Sequence, residues 1–199
     1  MLLAACQAEV ASRRRLFVAS SAYLLHVADV AQWLTSDDST FGLFLCGNRG
    51  NGKTTLVKAM KSLYNYLHSD EGYRTREDRF PPYGFEIITA KELVLLAKSY
   101  NNRTRDNAAE VGRYKRLRDV EVLCVDDLGT EPRDSLSYGD CVNAAMDMVN
   151  YRYEAQLCTM ATSNLAADEI RQYYDERFAD RFREMMRIVN FGNEKTFRL

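Results

Sequence analysis

The segment "FGLFLCGNRGNGKTT", Phe41 to Thr55, restricts the fold of this chain more than any other. An apolar run ends at a glycine, a glycine-rich loop follows, and a lysine with two threonines opens a helical stretch. The spacing Gly47-x-x-x-x-Gly52-Lys53-Thr54 is a full phosphate-loop pattern in the strand–loop–helix setting that such a pattern needs. Glycines at 47, 50 and 52 let the backbone turn so that successive N–H groups face one anion. The helix behind the loop adds its positive end. Lys53 offers a point charge to the β- and γ-phosphates, and the Thr54 hydroxyl suits Mg²⁺. The candidate nucleotide-binding residues are Gly47, Asn48, Arg49, Gly50, Asn51, Gly52, Lys53, Thr54 and Thr55.

The rest of the chain says which sheet the loop belongs to. Apolar runs at 41–47, 85–90, 120–127 and 157–164 read as strands, and "KTFRL" at the end of the chain as a last one. Helical patterning covers residues 4–34, 53–68, 91–100, 108–118, 138–154, 167–174 and 175–187. Strands alternate with helices, and the middle strands are apolar throughout. That pattern marks a parallel sheet covered by helices on both faces. Ligands of such sheets bind beyond the carboxyl ends of the strands, so the chemistry is expected after Cys46, Ala90, Val125 and Ser163.

Composition removes several classes of function. A net charge of −1 over 199 residues gives no global attraction to nucleic acid or anionic membrane, so any DNA contact needs a local patch. Five cysteines contain no C-x-x-C pair, and Cys46, Cys124 and Cys158 lie inside apolar strands. They read as buried free thiols of a reducing compartment. Gln7 and Glu9 break the apolar start, and Arg13, Arg14 and Arg15 follow it, which is the wrong order for a secretory signal. No run approaches the ~18 apolar residues of a membrane span. The expected location is cytoplasmic, with no membrane partner.

"VEVLCVDDLGTEP" places Asp126 and Asp127 together at the end of an apolar strand. Adjacent carboxylates repel and are costly to bury unless paired or bound to metal. A Mg²⁺–phosphate site at the same sheet edge relieves that cost. Asp126 then holds Mg²⁺ through water, and Asp127 orients the water that attacks the γ-phosphate. "TMATSN" ends another apolar strand with Thr162, Ser163 and Asn164, polar groups that can touch the γ-phosphate or its water. At this point a small-molecule kinase, a switch GTPase and an ATPase all remain open. The N-K-x-D motif that reads guanine is absent, and a nucleotide kinase is expected to show an arginine-rich lid near this position.

The order of phosphate loop, D-D and T-S-N resembles an AAA+ ATPase. "CVDDLGTEP", "MVNYRYEAQ", "ATSNL" and "ERFADRFREM" look like the DnaC/IstB branch of helicase loaders and transposition-helper ATPases, over about Phe41 to Leu199. The resemblance implies an α/β P-loop NTPase, a three-layer sandwich whose five parallel strands run in the order 5-1-4-3-2. Residues 1–40 form an N-terminal helical extension, residues 41–199 form the ATPase domain, and no C-terminal lid domain follows. It implies ATP and Mg²⁺ as cofactors and hydrolysis that is slow without DNA or a partner. An ATP-dependent homo-oligomer would assemble on single- or double-stranded DNA, or on a helicase or transposase. The Walker B aspartate falls on Asp126, its catalytic neighbour on Asp127, sensor 1 on Asn164 and the arginine finger on Arg181, with Arg177 as the nearby alternative. Asp127 stands where most AAA+ proteins have glutamate. A nucleotide-dependent assembly switch with little hydrolysis is the alternative function, and a small-molecule kinase a more distant one.

Two basic regions remain. In 175–187, Phe178, Phe182, Met185, Met186 and Val189 form one apolar stripe at helical spacing. Arg177 and Arg181 flank it one turn apart, while Arg183 and Arg187 point away. Besides a phosphate, the pair could meet Asp175, Asp180 or Glu184 in surface salt bridges. Between Lys98 and Arg118, Arg103, Arg105, Arg113, Lys115 and Arg116 could follow a DNA backbone or form a solvated charged face.

Overall fold

The computed structural model describes residues 1–37, 40–69, 81–132, 136–137, 140–141, 143–192 and 197. Two helices, α1 (Leu2–Ser12) and α2 (Ser21–Thr35), precede strand β1 (Gly42–Cys46) and helix α3 (Lys53–Leu67). Then come β2 (Phe85–Thr89), α4 (Ala90–Asn101), α5 (Ala108–Asp119) and β3 (Val122–Leu128). A short antiparallel pair, β4 (Leu136–Ser137) and β5 (Asp140–Cys141), leads to α6 (Ala144–Glu154) and β6 (Cys158–Ser163). Helices α7 (Ala167–Tyr173) and α8 (Glu176–Met185) and strand β7 (Met186–Asn190) follow.

The main sheet has five strands in the order β2-β3-β6-β1-β7, and every pairing is parallel. With the parallel strands numbered along the chain, this is the expected 5-1-4-3-2 read from the other edge. β1 is buried at all five positions and alternates between two cores. Phe44 and Cys46 face a cluster with residues of α4 to α8, among them Leu93, Leu117, Met148 and Phe178. Leu43 and Leu45 face a cluster with Leu56 and Met60 of α3 and Tyr23, Val27 and Trp33 of α2. These are the three layers. β1 is squeezed so closely that a Cβ on Gly42 would lie 2.6 Å from both Met186 Sδ and the Thr159 carbonyl oxygen.

Packing runs across residue 40. Leu2 and Cys6 of α1 are buried in the same core as α3 and the sheet. The single helix expected over residues 4–34 is two helices. Arg14 sits at φ 57° just after α1, and the Ser20 hydroxyl starts α2 by accepting the Tyr23 N–H at 3.0 Å. The helix expected from 138 begins at Ala144, with the Asn143 side chain accepting the Met146 N–H at 3.2 Å; Tyr138 lies outside the described residues. The last strand among the described residues is Met186–Asn190, inside the stretch expected to be helical; of "KTFRL", expected as the last strand, all but Phe197 lies outside the described residues. Of the expected apolar stripe, Phe178, Phe182 and Met185 are on α8, whereas Met186 and Val189 are buried on β7. Met186 and Val189 enter the two different cores from opposite faces of the strand, and β-branched Ile188 and Val189 favour the extended form. Among the described residues no helix is long and apolar enough to cross a membrane.

Candidate functional site

β1 delivers the chain to the phosphate loop, and α3 starts directly behind it. Gly47 and Gly52 sit at φ 123° and 94°, a region open to glycine. Space adds a second constraint at Gly52, where a Cβ would lie 2.6 Å from the ring of Tyr23 on α2. The loop is held on its other side by the chain beyond β7: the Asn48 N–H donates to the Gly192 carbonyl at 3.3 Å and the Phe197 N–H to the Gly50 carbonyl at 2.9 Å. Lys53 is 6% exposed. Its Nζ donates to the carbonyls of Gly47 and Asn48 at 2.6 and 2.7 Å and to Asn51 Oδ1 at 3.1 Å. Asn51 is fully buried, and its Nδ2 has no partner among the described residues. An orphan donor, an ammonium folded onto loop carbonyls and the start of a helix fit an anionic guest.

The expected junction of loop and acidic strand is present. Thr54 Oγ1 donates to Asp126 Oδ1 at 2.9 Å, across 72 residues of sequence. Thr162 Oγ1 donates to the same oxygen at 2.6 Å and accepts the Asp127 N–H at 3.0 Å. The register of β3 against β6 shifts between Val125 and Leu128. At this irregularity Asp127 takes φ 57° and turns its carboxylate to solvent, while Asp126 stays buried. The two acids therefore have separate surroundings although they are neighbours. A hydroxyl beside a carboxylate is a suitable partial ligand set for Mg²⁺, which keeps waters and takes phosphate oxygens. Among the described residues no three His, Cys, Asp or Glu side chains group to hold a metal by themselves.

Of the three polar residues closing β6, only Asn164 is placed to meet a ligand. Thr162 is spent on the aspartates, and Ser163 Oγ donates to the Leu128 carbonyl at 2.6 Å and accepts the Leu165 N–H at 3.0 Å. Asn164 is half-buried, with no hydrogen bond among the described residues. Cys46, at the mouth of the loop, has its thiol pushed up by burial against the pull of Lys53, so it is no nucleophile at neutral pH.

Arg181 is 19% exposed and engaged within its own chain. Nη1 donates to Asn150 Oδ1 at 3.1 Å and Nη2 to Glu154 Oε1 at 2.5 Å, and the guanidinium lies 5.2 Å from the ring centre of Tyr153. The carboxylate comes from α6, not from Asp175, Asp180 or Glu184. Arg177 is exposed, with no ion pair among the described residues. Arg183 lies 4.0 Å from Asp180, and Arg187, now on β7, reaches Asp29 of α2 at 2.9 Å. In the basic segment, Arg113 pairs with Glu92 at 2.7 Å and Arg116 with Glu86 at 3.4 Å, while Arg103 stacks on Tyr100. Arg105 and Lys115 are exposed and make no ion pair among the described residues. Two residues that the sequence did not single out also border the site: Tyr23 lies against the loop, and Glu131 accepts the Gly129 N–H in the turn that follows the acids.

No family model matches this sequence, and no curated protein does. Solved structures do match. A DnaC helicase loader superposes with a TM-score of 0.60 at 18% identity, over 87% of this chain and 92% of that one. DnaI gives 0.58 at 20%, over 88% of this chain and 87% of that one. The replication initiator DnaA bound to AMPPCP and single-stranded DNA gives 0.56 at 15%, over 87% of this chain and 47% of that one. The chain thus carries the AAA+ P-loop fold of the DnaC type.

Proposed function

We propose that this chain binds ATP with Mg²⁺, hydrolyses it, and assembles through the nucleotide into an oligomer on DNA or on a DNA-bound partner. Helicase loading and mobile-element transposition are the two settings that suit such a protein. The observation that carries the reading is the Thr54–Asp126 contact, which joins the start of the phosphate-loop helix to the acidic strand end at 2.9 Å. Lys53 swings from the loop carbonyls to the β- and γ-phosphates. Thr54 and Asp126 are the residues that would hold Mg²⁺, the aspartate through water, and the ion would offset charge on the phosphates. Asp127, turned to solvent, orients the attacking water, and Asn164 reports on the γ-phosphate. Arg181 enters the neighbouring subunit's site and stabilises charge on the transferring phosphoryl, a role worth ~10³ or more in rate. DnaC is a helicase loader and the DnaA structure holds AMPPCP and single-stranded DNA, which supports the assignment by analogy of fold.

A nucleotide switch with little turnover is the second reading. It is favoured by the engagement of Arg181 with Asn150 and Glu154, which must be exchanged before the side chain can serve another subunit. Steady-state ATP hydrolysis with and without single- and double-stranded DNA, run beside light scattering with a non-hydrolysable ATP analogue, separates the two. Hydrolysis that rises with DNA and with protein concentration supports the first. Assembly with negligible turnover supports the second. Lys53→Ala removes most ATP binding in either case, and unchanged affinity for labelled ATP would sink both.

A further inference from the structure

The turn behind the two aspartates contains a buried carboxylate that nucleotide chemistry does not use. Glu131 is 5% exposed. Its Oε2 accepts the Gly129 N–H at 2.8 Å, two residues beyond Asp127. Its Oε1 accepts the Tyr174 hydroxyl, and its own carbonyl accepts the Tyr173 hydroxyl at 2.8 Å. Tyr173 ends α7, and Tyr174 stands between α7 and the Asp175 side chain, which caps α8 by accepting the Phe178 N–H at 2.6 Å. The Tyr174 ring lies 4.6 Å from that of Phe178, and Phe178 stacks on Phe182 at 5.4 Å. Arg181 is the neighbour of Phe182. A continuous set of contacts therefore runs from the Asp127 turn through Glu131 and Tyr174 to the helix that bears Arg181.

A carboxylate that only closed its own turn would need Gly129 and no more. The Glu131 carboxylate also takes the Tyr174 hydroxyl at the α7–α8 junction, and a hydrogen bond to a charged acceptor is the stronger kind, while the neighbouring Tyr173 hydroxyl ties the main-chain carbonyl of Glu131 to the same junction. Burial and Glu131 together raise the pKa of the Tyr174 hydroxyl, so it remains a donor. We propose that Glu131 is a positioning residue that fixes α8, and with it Arg181, against the subunit's own Asp127 turn, so that the arginine reaches the neighbouring site in register. The proposal rests on the trans role given to Arg181 above.

The test uses mixed subunits of the full chain. Arg181→Ala subunits keep an intact phosphate loop, and Lys53→Ala subunits donate an intact arginine; their mixture sets the reference turnover. An inactive reference pair that demonstrably co-assembles removes the trans role and this proposal with it. The donor is then replaced by Lys53→Ala carrying Glu131→Gln, or by Lys53→Ala carrying Tyr174→Phe, which keeps the ring on Phe178 and removes only the hydroxyl. With either donor, kcat at the Arg181→Ala sites falls roughly tenfold at unchanged KM for ATP. A merely structural glutamate would not give that split, because every working phosphate loop in the mixture belongs to a subunit with native Glu131. Thermal melting and light scattering confirm that the donors fold and assemble. Unchanged turnover with both donors overturns the proposal and leaves the trans arginine standing. Loss with the Glu131→Gln donor alone also overturns it, since the carboxylate would then act only within its own turn.

Discussion

β3 and β6 carry a buried charge at each end, and the two ends treat it differently. At the amino end Arg152 of α6 is fully buried. Its Nε donates to Thr159 Oγ1 at 2.8 Å. Nη1 donates to the carbonyls of Leu117, Arg118 and Val120 at 3.2, 3.0 and 2.8 Å, and Nη2 to that of Cys158 at 2.7 Å. Several of these carbonyls end α5, where the helix dipole favours a cation. Among the described residues no carboxylate hydrogen-bonds to it; burial brings the pKa down to about 10 against the longer-range pull of groups that include Asp119, so the group stays charged at neutral pH. At the carboxyl end Asp126 is also buried, but its two hydroxyl donors both fall on Oδ1. Oδ2 has no donor among the described residues. One charge is saturated by the fold and the other has spare capacity. Saturation makes a structural post, and spare capacity makes a ligand site.

Arg152→Met attacks this contrast most strongly. Methionine fills much of the space but leaves several buried carbonyls without donors. A loss of about 3 kcal/mol or more in unfolding free energy follows, read as a shifted urea midpoint. ATP affinity of the folded fraction stays as in the wild type. If Arg152→Met is as stable as the parent, the amino-end network is decoration. Asp126→Asn should do the reverse: stability moves by about 1 kcal/mol or less, while hydrolysis loses its Mg²⁺ dependence. Asp127→Asn keeps both ATP and Mg²⁺ binding and lowers kcat by about a hundredfold, since only the water-orienting carboxylate is lost. Identical behaviour of the two aspartate variants in binding and turnover would show that they do not divide the work.

The carboxyl end was legible in the sequence and the amino end was not. "GNRGNGKTT" and "VDD" are contiguous, so both halves of the ligand site could be read from local pattern. The sheet order came from the resemblance and not from spacing. Arg152 stands in a polar run, "VNYRYEAQ", and nothing local shows that it is buried, because its acceptors lie 32 to 35 residues upstream on Leu117, Arg118 and Val120. Arg181 hides for the same reason, since its partners Asn150 and Glu154 are on another helix. Met186 and Val189 are three residues apart, a spacing that continues the helical stripe, so the sequence pattern runs α8 into β7; on the strand they fall on opposite faces and enter separate cores. Successive residues of a strand point to opposite faces. Thr162 and Ser163 therefore could not both reach a phosphate, and each is bonded to β3 instead.

Thr162 sharpens the comparison with a smaller effect. It gives Asp126 a donor and Asp127 an acceptor, and so fixes the irregularity that separates the two carboxylates. Thr162→Val keeps the shape and loses both bonds. A cost of roughly 1–2 kcal/mol in stability is expected, together with about a tenfold fall in kcat at unchanged ATP affinity. A stability loss without any change in kcat would make Thr162 a packing residue alone.

The smallest effect lies at the saturated end and concerns Cys158, whose carbonyl accepts from Arg152. Burial raises its thiol from 9.0 to about 11, against the pull of the Arg152 charge. The folded state therefore holds the thiol proton over a range where the unfolded chain has released it. With more protons bound when folded, stability falls as pH rises from 9 towards about 11, and below that range the thiol contributes no slope. Tyrosines titrate in the same region, so the useful quantity is the difference between wild type and Cys158→Ala. That difference in unfolding free energy should stay level from pH 7 to 8 and should decline between about 9 and 11 as the wild type alone loses its thiol contribution. Urea midpoints measured across this series give it directly. A level difference across the whole series would mean that the thiol is not sealed beside Arg152, and that the amino end is more open to water than its hydrogen bonds indicate.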